Sequence, residues 1–264
     1  MPGFEVINKE EKKAVVKIFD EGGVLFAHGF ENLRKKFHIR EFEKNFSRSM
    51  GCKHSLAVTS GTAAIKIGLK ALGVKAGDEV ITQSFNFIAT IEAILDIGAK
   101  PIMININENL NMDLNELKKN ITKKTKVILP VHMLGNPCEM NEIIKISKKY
   151  NLKILEDNCE AIGGKFKNKN LGTLGDIGVF SFDFGKTITT GEGGMIITNN
   201  KRYYDYCNEY HDHGHQNLKK LSRGNDKAKM PGFNYRMTEM QGAIGKVQLK
   251  KLNKILVENK KRYL

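Results

Sequence analysis

What this 264-residue chain lacks narrows its function before any motif is considered. Its four cysteines, Cys52, Cys138, Cys159 and Cys207, lie far apart, with no C-x-x-C and no short Cys/His spacing. That excludes a disulfide scaffold and a zinc ribbon, and predicts reduced thiols in a cytoplasmic protein. No stretch approaches the ~20 apolar residues that cross a bilayer, and the N-terminal Met1-Pro-Gly-Phe-Glu-Val-Ile-Asn8 has none of the zones of a secretory signal. A membrane is therefore not an expected partner. G-x-G-x-x-G is absent, which argues against a nicotinamide or flavin site of the usual kind. Gly185-Lys186-Thr187 mimics the end of a P-loop, but the place of the required upstream glycine is taken by Phe180. There is also no basic region with interleaved aromatics, so nucleic acid is not expected despite a net charge of +14. The lysines are spread along the chain in pairs such as Lys12-Lys13, Lys118-Lys119 and Lys148-Lys149, which reads as a solvated surface.

What remains is an ordinary globular composition, 41% hydrophobic, with no low-complexity tract or internal repeat. The length allows one large α/β domain or two small ones. Apolar, β-branched runs at 56–58, 79–82, 100–104, 126–131, 153–156, 178–182 and 195–198 read as strands. Helical spacing at 63–72, 88–96, 115–120 and 140–150 separates several of them. This alternation predicts an α/β fold: a three-layer sandwich with a mainly parallel sheet, whose ligands gather at the carboxyl ends of the strands. Residues 1–40 fit poorly, with a helix at 10–19 and a glycine-rich 21–29, and read as an N-terminal arm packed on the main domain or on a second subunit. Residues 41–250 are assigned to the large domain and 251–264 to the start of a further helix.

Three constellations carry chemistry. Thr59-Ser60-Gly61-Thr62-Ala63-Ala64 joins a strand to a helix, where free N–H groups and the helix dipole favour a phosphate, with the Thr62 hydroxyl as an extra donor. The same residues would serve as an N-cap. Glu156-Asp157-Asn158-Cys159-Glu160 follows a strand, and acidic groups there need partners. A cationic ring nitrogen would satisfy Asp157, as would a structural ion pair. Lys186 ends Phe180-Ser-Phe-Asp-Phe-Gly-Lys186 ahead of Thr-Ile-Thr-Thr-Gly191-Glu-Gly-Gly194, and its separation from Ser181 places an amine and a hydroxyl across one turn. A lysine becomes nucleophilic in a partly dry setting, which the flanking phenylalanines would supply. The alternating His211, His213 and His215 read as a polar loop near a chain reversal, and no metal is assigned to them.

Together these motifs resemble the pyridoxal-phosphate-dependent sugar aminotransferases of the DegT type, on the large domain of the fold type I transferases. The resemblance also takes in Gly77-Asp-Glu-Val-Ile81, Thr125-Lys-Val-Ile-Leu-Pro-Val-His132, Gly172-Thr-Leu-Gly-Asp176 and Asn234-Tyr-Arg-Met237, in order along the chain. It implies that Lys186 anchors the cofactor covalently and moves the proton, while Asp157 pairs with the pyridine nitrogen. By the same resemblance Phe87 stacks on the ring, Gly61, Thr62 and Ser181 hold the phosphate, and Asn234 reaches the phosphate of the neighbouring subunit in a homodimer. Glu160 stands where many relatives carry His or Gln beside the ring oxygen. The implied reaction moves an amino group from an amino acid, glutamate, to a keto sugar, nucleotide-linked or acidic. Two rivals are a dehydratase on the same scaffold, whose members replace the lysine with histidine, and a non-catalytic regulatory or interaction protein. The family continues into a smaller C-terminal domain, most of which this chain, ending at Leu264, is expected to lack.

Overall fold

Cap chemistry and apolar spacing account for where each element begins and which face it buries. The computed structural model describes residues 2–218, 221 and 225–263; Leu264 and parts of the polar stretch before residue 229 lie outside them. A 3-10 turn at Gly3–Val6 precedes α1 (Lys9–Asp20), which starts in a capping box formed by Asn8 and Glu11. Helix α2 (His38–Met50) buries Ile39, Phe42, Phe46 and Met50, a one-sided apolar stripe, and stops at Gly51 in the left-handed region. Then come β1 (His54–Val58), α3 (Gly61–Ala71), β2 (Glu79–Gln83), α4 (Ile88–Asp96), β3 (Lys100–Ile104), α5 (Leu114–Lys119) and β4 (Thr125–Leu129). Helix α6 (Met140–Tyr150), β5 (Lys153–Asp157) and a short hairpin, β6 (Lys165–Phe166) with β7 (Lys169–Asn170), follow. The described chain closes with β8 (Ile177–Ser181), β9 (Gly194–Thr198), α7 (Lys201–Tyr210) and α8 (Glu239–Tyr263).

Seven strands form one sheet in the order β1-β9-β8-β5-β4-β2-β3. All run the same way except β9, which is antiparallel to both β1 and β8. On one face α3, α4 and α7 bury Ile65, Ile67, Leu69, Ile94 and Cys207 against the sheet. On the other, α2 and α8 enclose Phe42, Phe46, Phe180, Phe182 and Ile255. Helix α8 passes so close to α2 that a Cβ on Gly245 would lie 2.7 Å from the Phe42 ring. Burial of several aromatic and aliphatic side chains per layer, each worth roughly 1.5–3 kcal/mol, makes these two interfaces a large source of stability.

All seven expected strands are present, to within two residues at either end. Helices α2 and α7 were not expected, and they sit on opposite faces of the sheet. The first turn and α1 pack within this chain: buried Glu11 accepts from Lys251 and Gln248 of α8. Helices α2 and α8 run without a break through positions 40/41 and 250/251. Among the described residues no helix is long and apolar enough to cross a membrane, and all four cysteines are free.

Candidate active site

Strands β1, β5 and β8 run parallel and end side by side, with only the reversed β9 between β1 and β8. Just beyond their carboxyl ends lies a cavity of about 380 Å³, within the usual range for a small-molecule site. From β1 the chain turns through Ser60 into α3. The Ser60 hydroxyl accepts from Ala63 N–H, and Ala64 N–H bonds to the Ser60 carbonyl. Gly61 and Thr62 N–H then have no acceptor among the described residues, and both residues line the cavity at the positive end of the helix. Gly61 must be glycine: a Cβ there would lie 2.9 Å from both Cys159 Sγ and Ser181 Cβ, filling the cradle from behind.

From β5 come two carboxylates with opposite duties, because successive side chains on a strand face opposite ways. Glu156 is fully buried and accepts from the backbone N–H groups of Gly172, Leu174 and Gly175 at 2.8, 2.7 and 2.5 Å. His132 completes the set. Its Nδ1 accepts from Cys138 N–H, so its Nε2–H donates to Glu156, 3.1 Å away. Asp157 instead lines the cavity, nearly buried, with Oδ2 accepting from the Thr90 hydroxyl and Oδ1 from Cys159 N–H, both at 3.0 Å. These two bonds fix the plane of the carboxylate.

At the end of β8, Ser181 lines the cavity and its hydroxyl accepts from Asp183 N–H at 3.3 Å. Lys186, five residues on, brings its amine to 3.4 Å from Glu160 Oε1, while Glu160 Oε2 is buried without a partner. The expected shelter from the flanking phenylalanines is not what the structure shows. Phe182 belongs to the core against Phe42 and Phe46, and Phe184 is exposed and stacked on Phe4. The partner of the amine is a carboxylate, and the cavity carries four of them, Asp157, Glu160, Asp183 and Glu192, against one lysine. The surplus positive charge of the chain lies elsewhere.

The structure thus brings together Gly61, Thr62, Phe87, Asp157, Glu160, Ser181 and Lys186. Asn234 does not line the cavity; it is exposed, on a segment bridged to Asp212. Thr90, Cys159 and Glu192 also line it and were not singled out from sequence. For Thr90 the available signal was its place in the first turn of α4, three residues after the aromatic Phe87. The three histidines do not converge. His211 is buried, bonded to Asn208 O and His28, and burial pushes it down to about 4, whereas His215 pairs with Asp226. Among the described residues no group of side chains is arranged to hold a metal ion.

Comparison with known proteins identifies the family. An Escherichia coli GDP-perosamine synthase is 41% identical over 213 residues, 80% of this chain and 57% of that protein. The X-ray structure of an aminotransferase from Psychrobacter cryohalolentis superposes with a TM-score of 0.84 at 33% identity, covering 93% of this chain and 62% of that one. A GDP-4-keto-6-deoxymannose-3-dehydratase with a trapped PLP-glutamate geminal diamine gives the same TM-score, also at 33% identity, over 94% of this chain and 67% of that one. The chain thus spans less than two thirds of the synthase and of the aminotransferase. Residues 7–264 match the DegT/DnrJ/EryC1/StrS aminotransferase family, and the chain belongs to it.

Proposed function

We propose that the chain is the cofactor-binding portion of a pyridoxal 5'-phosphate-dependent sugar aminotransferase. It moves an amino group from an amino acid, glutamate, to a keto sugar, nucleotide-linked or acidic, in amino-sugar and surface-polysaccharide synthesis. The reading takes residues 41–250 as the cofactor domain and 251–264 as the start of a helix leading to a smaller domain that closes over the substrate. It places the protein in the cytoplasm as a homodimer. One observation carries it: an amine, a fixed carboxylate and an open helix N-terminus share a single cavity.

The residues fit the group. The glycine cradle at Gly61 admits a phosphate against two free N–H groups, and the unpartnered Glu160 Oε2 calls for a donor from a bound molecule. Pyridoxal phosphate supplies an electrophilic aldehyde and a ring that accepts electrons from the carbon losing its proton. Lys186 Nζ is the group that would hold the aldehyde carbon and carry the proton, with Glu160 beside it to keep the amine oriented. Asp157, held by Thr90 and Cys159 N–H, presents its carboxylate to the ring nitrogen and keeps a proton there. Thr62 and Ser181 add hydroxyls to the phosphate seat, and Phe87, 67% exposed, offers its face to the ring. With so acidic a lining, phosphate is held by dipoles and hydroxyls of this chain, and Asn234 serves the neighbouring subunit.

Lys186 separates this reading from the dehydratase, since dehydratases of the family carry histidine in its place. The test is spectroscopic. Protein loaded with pyridoxal phosphate should absorb in the visible and bleach on adding glutamate, and borohydride should leave a reduced adduct on the peptide containing Lys186. Cofactor uptake with no adduct at Lys186 and no spectral response to any amino donor would overturn the proposal.

A further inference from the structure

The N-terminal turn, unused by the function above, grips the loop that carries Lys186. Gly3 N–H donates to the Lys186 carbonyl at 2.8 Å, and the Phe4 ring stacks on Phe184 with centroids 4.7 Å apart and planes 9° from parallel. Gln248 of α8 adds a second hold. Its Oε1 accepts from Thr189 N–H at 3.3 Å while its Nε2 donates to Glu11 of α1 at 2.9 Å. Lys251, one turn further along α8, donates to both Glu11 oxygens and to the Val6 carbonyl, which fixes the far end of the turn. The fit leaves no slack. A Cβ on Gly3 would lie 2.6 Å from Gln248 Oε1, 2.8 Å from Ile188 Cα and 2.9 Å from Thr189 N, and the last two are backbone atoms of the Lys186 loop.

That loop needs outside support. Between β8 and β9 its own backbone bonds are few: Lys186 N–H to Asp183 O, Phe182 N–H to Gly193 O and Thr190 N–H to Phe182 O. The lysine side chain has four rotatable bonds, so the volume searched by its amine follows from where the Lys186 backbone is held. A displacement near 1 Å in a reacting group can cost on the order of 100-fold in rate. We propose that the turn Gly3–Val6 is a positioning element for Lys186, with Gly3 and Phe4 acting directly on the loop and Gln248 linking it to α1. The inference rests on Lys186 being the cofactor anchor.

The test uses the full chain with Gly3→Ala and Phe4→Ala, and with Phe4→Tyr as the conservative variant. In cofactor-free protein, amide hydrogen exchange over 183–191 should quicken roughly 3- to 10-fold in Phe4→Ala, the factor expected for losing one aromatic pair. Exchange in β5 should rise less than over 183–191, and the melting temperature should fall by no more than the few degrees that one lost aromatic pair costs. The rate of borohydride-trappable adduct formation at Lys186 should fall by a similar factor, and Phe4→Tyr should restore both. Native exchange over 183–191 in both Gly3→Ala and Phe4→Ala would overturn the inference, as would exchange that rises uniformly across the sheet. If the unmodified protein forms no adduct at Lys186, the cofactor reading fails, and loop exchange alone decides whether the turn holds the loop.

Discussion

Replacing Glu43 with glutamine should make the protein more stable in alkali. Glu43 lies on α2, and its Oε1 accepts from Ala57 N–H at 2.8 Å, occupying a donor on the edge strand β1. Burial pushes its carboxyl up from 4.5 to about 8, with the Ala57 bond and the Arg40 charge pulling weakly the other way. Between those pH values the folded chain keeps a proton that the unfolded chain has released, so stability falls as pH rises through the window. At about 1.36 kcal/mol per pH unit the loss approaches 5 kcal/mol once ionisation is complete, and reaches about 3 kcal/mol near pH 7. Glutamine keeps an oxygen for Ala57 and cannot ionise. Urea denaturation of both proteins at about pH 5, 7 and 9 should give stabilities within about 1 kcal/mol at the acid end and a gap of about 3–5 kcal/mol at the alkaline end. Parallel curves across that range would show that Glu43 ionises freely, and the argument from burial would be wrong.

The remaining predictions concern three buried groups. His211 works in the opposite direction: its folded value of about 4 lies below the ordinary 6.5, so its contribution is complete above the ordinary value and is lost as pH falls toward 4, by about 3 kcal/mol. In His211→Gln that acid-side slope should vanish from urea titrations. Glu156→Ala strips an acceptor from three backbone N–H groups and from His132. At about 1–3 kcal/mol for each donor left dry, the loss should exceed about 4 kcal/mol, measured as a fall in the urea midpoint. Asp157→Asn should leave the borohydride adduct at Lys186 intact while slowing the glutamate-driven bleaching by about 100-fold or more, read by stopped-flow absorbance.

Strands were the most legible part of the fold, because runs such as 126–131 and 195–198 are apolar and β-branched on both faces. The reversal of β9 was not, since nothing within Gly194–Thr198 encodes its direction; that depends on the return of the chain through the loop holding Lys186. Helix α7 escaped notice because Lys201–Tyr210 is tyrosine-rich and strongly polar, with only Cys207 and Tyr210 buried. In the site, Lys186, Asp157 and the Ser60-Gly61-Thr62 turn were readable from residue type and order. Thr90 was not, because its value comes from α4 arriving beside the end of β5, a tertiary event. The phenylalanines near Lys186 misled for the same reason: their apolar character serves the core and the N-terminal turn.

The neighbouring acids Glu156 and Asp157 also turn the end of β5 into a ruler of chain length. Deleting one residue upstream within the strand, or inserting one, would turn the scaffold's acceptor into the cavity and drive the ligand-facing acid into the wall of backbone donors at 172–175. Both chemistry and folding would then fail together. Homologous chains should therefore vary freely in the length of the turn ahead of Lys153 and hardly at all between that residue and the cavity, a pattern to impose when loops are grafted onto this scaffold.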